Sequence, residues 1–424
     1  MANMSGFLQN LQGATVLGIN PPVFDFTFFD LWAKPLGLLY LLDFLRSRGN
    51  HVFLLDCIFE SQGETVSFGR RKIARCEIPK PRVFRNIPRR YHRFGLEDAE
   101  ILRRLRSIPQ PDCILVTSGM TYWYEGVFRV VDLAKKVFPG VPMLLGGIYA
   151  QLCPEHAGSS GADFVQGAPL DIVFTRPGMD LYAGSARYAL LTTSFGCPLA
   201  CDYCASKRLY PRFLERTREE MFADASFQLS LPEVRDAAFY DDALLVGKEK
   251  RFYPFCSFLG VSFPGIRYHT PNGLHIREID AECARILKET GFATLRLSLE
   301  SSDPDFQRKG SSKTSGEEFR EALIYLRKAG FSKEQMETYI LAGLPGQSAQ
   351  SVAESIRFVR NCGARAKLAE FSPVPGTRSF EEAALMFPEL RTEPLLHNKT
   401  VYSSYLSGNL PPEELQHLKN LARG

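Results

Sequence analysis

Three cysteines, Cys197, Cys201 and Cys204, stand in a C-x3-C-x2-C spacing on one short segment. Thiolates so placed can hold three corners of an iron–sulfur cube, which ordinarily takes four cysteine ligands. No fourth cysteine lies nearby, so one iron of such a cube would be left open to another ligand. Three buried thiols or a zinc site remain the alternatives. Zinc sites usually pair two C-x-x-C elements or add histidines, and neither follows here. The apolar run 188–193 directly before the segment reads as a buried strand, and Gly196-Cys197-Pro198 reads as the turn that ends it.

Such a loop needs a scaffold. Downstream of Arg187 six strand patterns alternate with helical segments, at 188–193, 237–240, 265–269, 294–300, 336–342 and 366–371. Parallel α/β barrels carry catalytic groups at the carboxyl ends of their strands, and the unusual residues of this half fall there. The first strand delivers the cysteines. The second ends in Asp241-Asp242, and the third in His269-Thr270-Pro271-Asn272-Gly273-Leu274-His275. The fourth ends in Glu300-Ser301-Ser302, the fifth in Gly343-Leu344-Pro345-Gly346, and the sixth in Ser372-Pro373-Val374-Pro375-Gly376-Thr377. Taken singly, Asp241 reads equally well as a helix cap, Glu300 as a partner in the neighbourhood of Arg296, the glycine–proline segments as plain turns, and a lone histidine as a structural group.

The cysteine segment, with aromatic Tyr203 before its third cysteine, resembles the signature of the radical S-adenosylmethionine (SAM) superfamily. Six strand–helix units fit that family's open, TIM-like partial (β/α)6 barrel, here over residues 185–378. The resemblance implies a [4Fe-4S] cluster on Cys197, Cys201 and Cys204, with SAM chelating the open iron. It implies that Asp241 and Asp242 lie near the SAM amino group. Glu300, with Ser301, would meet the ribose, and the turn holding Gly343 and Pro345 would meet the adenine. The run from Phe371 through Pro373 to Thr377 is similar to the family's F-S-P-x-P-G-T end of strand six. His269 and His275 are candidates for catalytic proton transfer beside the substrate. The implied chemistry is cleavage of SAM by one electron, from a flavodoxin- or ferredoxin-type donor, to a 5′-deoxyadenosyl radical.

The first half reads as a doubly wound, Rossmann-like α/β domain over residues 1–175. Strand patterns at 16–19, 51–55, 113–117, 142–145 and 163–166 alternate with helical ones at 36–45 and 127–137. Ligands of such sheets bind beyond the carboxyl ends of the strands. Neither G-x-G-x-x-G after the first strand nor a P-loop occurs, which weakens dinucleotide and nucleotide readings. This half is similar to the cobalamin-binding domain in front of many radical SAM domains. The similarity is carried by Asn20-Pro21-Pro22, the run from Pro35 through Leu36-Gly37 to Leu41, Asp56, Ser118-Gly119-Met120-Thr121, Leu145-Gly146-Gly147-Ile148-Tyr149-Ala150 and Gly167. The D-x-H-x-x-G motif that supplies a histidine to cobalt in many cobalamin proteins does not occur. The aromatics of 23–32 and Tyr122-Trp123-Tyr124 are expected either to cover the lower corrin face or to fill the domain interior. At 166–169 the family's Gly-Glu-Gly-Glu turn keeps its glycine and loses its acids.

Residues 69–106 carry many arginines interleaved with Pro79, Pro81 and Pro88 and read as a basic surface loop. Residues 379–424 read as a short helical C-terminal extension. A net charge of +4 over 424 residues is too small to point to nucleic acid. Ten cysteines with no framework spacing suit a reducing compartment. No apolar run is long enough to span a bilayer and no signal-peptide pattern opens the chain, so a cytoplasmic protein is expected. The combined expectation is a cobalamin-dependent radical SAM C-methyltransferase acting on a peptide, protein or small molecule. A cyclase or rearrangement enzyme on the same two domains and a non-catalytic cobalamin- or redox-responsive binder are the alternatives.

Overall fold

The computed structural model describes residues 4–59, 66–172, 174–182, 184–308 and 314–424. Its contacts divide into two units, one of residues 1–187 with 231–233 and 392–395, the other of residues 188–230, 234–391 and 396–424.

In the first unit the strands are β1 (Thr15–Asn20), β2 (Val23–Asp25), β3 (His51–Asp56), β4 (Arg75–Glu77), β5 (His92–Phe94), β6 (Cys113–Val116), β7 (Met143–Leu145) and β8 (Phe164–Val165). Five of them form a parallel sheet in the order β3-β1-β6-β7-β8. The order in which strands are added reverses between β1 and β6, so the ligand crevice of this topology opens at their carboxyl ends. The strands are nearly continuous apolar runs because helices cover both faces. Val16 packs with Leu38, Leu42 and Leu45 on one side, while Leu17 and Ile19 pack with Val127, Val130 and Val131 on the other. Helix Leu36–Ser47 comes close enough that a Cβ on Gly18 would lie 2.7 Å from a Leu42 methyl. Helix Tyr124–Val137 seats Gly126 where a Cβ would fall 1.9 Å from the Pro22 carbonyl oxygen.

The basic stretch is not a loop. It holds β4 and β5, which join β2 in an antiparallel sheet of order β2-β5-β4, and helix Asp98–Ser107 starts inside it. Its small core is aromatic: Phe26, Phe84 and Tyr91 meet with ring centroids 5.0 to 5.5 Å apart. Strands of three residues show no readable alternation, and their partner β2 is remote in sequence. Phe26 and Trp32 are buried here, whereas Phe29 is 70% exposed, so most of the loop's aromatics fill this lobe.

The second unit continues with β9 (Tyr188–Leu191), β10 (Ser194–Phe195), β11 (Leu214–Glu215), β12 (Asp236–Phe239), β13 (Arg267–Leu274), β14 (Phe292–Glu300), β15 (Met336–Ala342) and β16 (Arg365–Glu370). Six of these form one parallel sheet in sequential order from β9 through β12, β13, β14 and β15 to β16, and β10 pairs with β11 as a separate hairpin. Helices between successive strands start on side-chain caps: capping boxes at Thr217 and Ser315, and single caps at Asp280 and Ser348. On β14, Leu295, Leu297 and Leu299 are fully buried. Alternate Arg296 pairs with Glu337 at 2.9 Å, not with Glu300. The C-terminal segment belongs to this unit rather than standing apart. Its last helix, Pro412–Arg423, packs on helix Ala349–Asn361 and on edge strand β16, with Lys419 paired to Glu370 at 2.7 Å. No helix among the described residues is long and apolar enough to cross a membrane.

Candidate functional site

Strand β9 lies at one edge of its sheet, with β12 as its only strand partner. Its outer backbone groups are satisfied by side chains of helix Arg218–Leu229 and the residues before it. The Gln228 amide accepts from Leu190 N at 2.8 Å and donates to Leu190 O at 2.8 Å, as a neighbouring strand would. Arg216 donates to Thr192 O at 3.0 Å and pairs with Asp224 at 2.7 Å, and Gln228 also donates to Asp224 at 2.7 Å. Arg216, Asp224 and Gln228 are all buried. At the strand's end, buried Asp241 accepts from Thr193 N at 2.9 Å, Thr193 Oγ1 at 2.6 Å and Ser194 Oγ at 2.8 Å. Burial pushes its carboxyl above the usual range, against the pull of these bonds and of Arg251. Asp241 therefore fixes the approach to the cysteine loop, while Asp242 is exposed beside it and accepts from Ser206.

The hairpin β10–β11 then presents the thiols. Gly196 has φ +79°, and a Cβ there would lie 2.8 Å from Arg212 O and 3.0 Å from Tyr210 Cβ. Cys197 and Cys201 are half-buried and Cys204 is exposed. Among the described residues no group of three or more His, Cys, Asp or Glu side chains is gathered on one point. Tyr203 stacks on Phe306 with ring centroids 6.3 Å apart. Burial first, then the charge of Glu300 and the neighbouring thiols, raises its hydroxyl far above the ordinary value, which puts the ring between the cysteine loop and β14.

Glu300 is buried at the end of β14, where the pairing with β15 shifts register, and it adopts φ +67°. A non-glycine residue held there costs about 1–3 kcal/mol, and such strain gathers at functional sites. Ser301 is buried, with its hydroxyl accepting from Asp303 N at 3.1 Å and its carbonyl from Gln307 at 2.8 Å, so it shapes the turn. At Gly343, φ is +94° and a Cβ would lie 2.6 Å from Ser403 Cβ. The room left by that missing side chain is thus taken by the C-terminal segment. It is Gly346, with nothing within 4 Å, that leaves backbone open beside half-buried Pro345. Pro373 is buried, and adjacent Ser372 donates to His397 O at 2.6 Å.

The third strand runs on to Leu274, so His269 lies inside it rather than at its end. Its Nδ1 meets Thr294 Oγ1 at 2.8 Å and its Nε2 meets Asp236 at 3.1 Å, at the amino end of β12. Burial raises the Asp236 carboxyl, but the bonds from His269 and Arg267 outweigh it and hold it below the usual range. His269 thus has both ring nitrogens engaged inside the sheet. His275 is buried just past the strand's end. Between them Asn272 donates to Tyr240 O at 3.0 Å, tying the ends of β12 and β13 together.

In the first unit, Asn20 donates to Asp56 at 2.9 Å, and Asp56 also accepts from Ile58 N and Phe59 N, each at 3.0 Å, and from Tyr182 OH at 2.5 Å. Burial raises the Asp56 carboxyl in spite of these bonds. Asn20 and Asp56 spend their polar atoms on the fold, and Pro21 and Tyr149 are buried too, Tyr149 with its hydroxyl 2.6 Å from His156 Nδ1. The surface at the crevice is backbone. Buried Ser118 donates to Gly146 O at 2.6 Å and accepts from Ile148 N, through its carbonyl, at 2.9 Å. Gly147, at φ +94°, sits where a Cβ would lie 2.3 Å from that carbonyl oxygen. Gly37 and Gly167 are exposed and Leu36 half-exposed. Thr121 is buried, while Met120 and Ile148 are 45% and 36% exposed. A flat rim of glycine backbone and apolar side chains results.

Gln228, Arg216, Asp224, Gly126 and Ser403 escaped the sequence reading.

An open, sequentially ordered parallel sheet with a three-thiol loop after its first strand, preceded in the chain by a doubly wound domain, defines a two-part α/β architecture. Residues 191–359 match the model of the Radical SAM superfamily. The fold extends further. The radical SAM methyltransferase TsrM from Kitasatospora setae, solved with tryptophan substrate and a SAM analogue, superposes with a TM-score of 0.64 at 14% identity over 88% of this chain and 76% of that one. The cobalamin-dependent SAM radical enzyme OxsB, solved with aqua-cobalamin and SAM, superposes with a TM-score of 0.60 at 13% identity over 90% of this chain and 56% of that one. A curated relative, an uncharacterized methyltransferase of Pyrococcus horikoshii, is 25% identical over 215 residues, 48% of this chain and 44% of that protein. The match thus spans less than half of that relative's length. Both halves of this chain have the fold of cobalamin-dependent radical SAM enzymes.

Proposed function

We propose that this protein is a cobalamin-dependent radical SAM methyltransferase, moving a methyl group from SAM to an unactivated carbon of an amino-acid, peptide or other small substrate. The observation that carries the reading is the three-thiol loop at the carboxyl end of β9, inside a match to the radical SAM model. The six-stranded sheet is read as the partial barrel. When bound, a [4Fe-4S] cluster and a corrinoid supply reductive cleavage of SAM and a carrier for the methyl group.

The residues present fit both groups. Cys197, Cys201 and Cys204, half-buried or exposed on one loop, would hold the cluster. Asp241 and the Gln228–Arg216–Asp224 network orient their loop. Asp242 and Glu300 supply carboxylates for the amino group and ribose of SAM, and Gly346 leaves open backbone for its adenine. The corrinoid would lie on the rim made by Gly37, Ser118–Met120, Gly146–Ile148 and Gly167, where apolar Met120 and Ile148 are exposed and no histidine is offered to cobalt. His275, at the end of β13, is the remaining candidate for holding a proton near substrate. The electron comes from a flavodoxin- or ferredoxin-type donor, and a cluster of this kind suits the reducing cytoplasm.

The test is anaerobic purification, reconstitution with iron, sulfide and hydroxocobalamin, and incubation with SAM, a strong reductant and tryptophan or tryptophan-containing peptides. Iron and corrinoid are expected in the protein, with 5′-deoxyadenosine or S-adenosylhomocysteine formed and a product heavier by one methyl group. An intact cluster with neither SAM product speaks for a binder, and a rearranged product of unchanged mass speaks for a cyclase. Serine replacement of the three cysteines that leaves turnover untouched refutes the reading.

A further inference from the structure

We infer that the first unit carries a binding site for the zwitterionic head of a free α-amino acid, in a cavity that the proposed function does not use. The cavity, of about 450 Å³, is lined by Arg82, Val83, Arg85, Asn86 and Glu393, all of them residues of that unit. Its volume is in the range of small-molecule sites. Residues 69–94 hold ten lysines and arginines against Glu77 alone, in a chain whose net charge is only +4, so positive charge is concentrated on this lobe. Several of these cations are spent within it. Arg93 pairs with Glu97 at 3.4 Å and Asp98 at 3.2 Å, Arg90 with Glu77 at 3.6 Å, Arg70 lies 4.4 Å over the Trp32 ring, and Lys80 donates to Ile87 O at 2.5 Å. Arg82 and Arg85 are exposed and, among the described residues, neither pairs with a carboxylate.

Both walls of the cavity are fixed by the fold. On one, Phe84 is buried against Phe26 and Tyr91, and bonds from Phe84 N to Pro81 O at 2.9 Å and from Ile87 N to Phe84 O at 3.0 Å close the loop. The 3-10 turn Arg82–Phe84 is anchored by that ring and leaves Arg82, Val83 and Arg85 outside. On the other wall, one carboxylate oxygen of half-buried Glu393 accepts from Tyr124 OH at 3.1 Å and from Leu395 N at 3.0 Å, which leaves its second oxygen for a donor. Glu393 and the two arginines thus share a cavity without meeting as ion pairs. A ligand with both charges on one carbon closes that gap. Its carboxylate meets the guanidinium groups, which suit two-point contact, and the Asn86 amide. Its ammonium meets Glu393, and its side chain lies along Val83, 36% exposed. Glu393 repels a phosphate, and the rings of Phe26, Phe84 and Tyr91 are buried rather than offered to bases for stacking, so neither a phosphate nor a nucleic-acid strand suits the cavity as well.

The experiment measures binding of L-tryptophan, L-methionine and L-leucine to the reconstituted full-length protein by calorimetry. At least one is expected to bind with a Kd below about 1 mM. The tightest is then compared with its amide, which lacks the carboxylate, and with its deaminated acid, which lacks the ammonium. Each analogue is expected to bind at least about tenfold more weakly. In Arg82→Gln/Arg85→Gln the amino acid and its amide should bind alike, and in Glu393→Gln the amino acid and its deaminated acid should bind alike. Glutamine at 393 keeps an oxygen for Tyr124 and Leu395, and the comparison of analogues on the parent stands without either variant. No binding of any of the three amino acids overturns the proposal, as does equal binding of the amino acid and both analogues. Binding that persists unchanged in both variants overturns it too, because it then belongs to another site. So does inorganic phosphate or single-stranded RNA that binds more tightly than the amino acid through Arg82 and Arg85. The readout needs no turnover, so a protein that cleaves no SAM refutes the proposed function and leaves this test in force.

Discussion

Replacing Gln228 with leucine tests whether a side chain can stand in for a missing strand. Gln228 is fully buried and its amide makes three bonds, two to Leu190 and one to Asp224. Leucine is close in size and adds no charge. It leaves the N–H and C=O of Leu190 buried on the outer edge of β9 without a partner. Each such group costs about 1–3 kcal/mol, while Asp224 keeps its bond to Arg216. The expected loss is therefore roughly 2–5 kcal/mol, reduced somewhat by the apolar burial that leucine gains. Against a total of about 5–15 kcal/mol for a typical domain, that is a large fraction. Urea unfolding followed by circular dichroism should show the midpoint of the second unit fall without a change of slope. Amide hydrogen exchange should show Leu190 lose protection before the inner strand β13 does. Iron retained after reconstitution should fall as well, although all three cysteines remain. A midpoint within about 0.5 kcal/mol of the parent, with the Leu190 amide still protected, refutes the account of how this edge is held.

Two further expectations concern the first unit. Gly147→Ala places a Cβ 2.3 Å from the Ser118 carbonyl oxygen at a φ of +94°. It should cost at least about 1–3 kcal/mol and lower the corrinoid retained per chain with no change in iron content, read from absorbance and iron assay. Lys34 is buried with its Nζ 2.5 Å from Ala186 O, and burial lowers its pKa to about 7. Between pH 7 and its ordinary value the unfolded lysine holds a proton that the folded one has lost, so stability rises with pH across that window. The gain is on the order of 5 kcal/mol at its upper limit. Lys34→Met should remove this slope, measured as the difference in urea midpoints between the two proteins from pH 7 to 10, and parallel pH profiles would refute it.

The long, regular parts of this fold are written locally, and the joints are not. Strands β9, β12 and β15 coincide with apolar runs followed by glycine, proline or an acidic pair, so much of the sheet's order and the position of Cys197, Cys201 and Cys204 can be read along the chain. The antiparallel sheet in the basic stretch cannot. Its strands are three residues long, and the partner of β5 is β2, separated from it by β3 and β4. The same holds for the hydrogen bonds of several candidate site residues. Asn20, Asp56 and Asp241 stand at strand ends as expected, but only tertiary contacts reveal that they bond to neighbouring side chains and backbone. His269 was misplaced because the register shifts between β13 and β14 carry the strand past Thr270 to Leu274, and a Pro-Asn-Gly run looks like a strand's end in one dimension.

These displaced roles share a physical logic. A polar side chain at the mouth of a parallel sheet has two uses, to meet a ligand or to fix the backbone that meets it. The second demands burial, because a bond holds a loop firmly only where water cannot compete for its donor and acceptor. Asp241, Asn20, Asp56 and Ser118 are buried and hold loops. The groups left toward the mouth are glycine backbone, exposed Met120 and Ile148, exposed Asp242, and the three cysteines. Glu300 breaks the pattern, being buried yet held at φ +67°. Strain of this kind gathers at functional sites, and the charge of Glu300 helps raise the Tyr203 hydroxyl, which links the end of β14 to the residue beside Cys204.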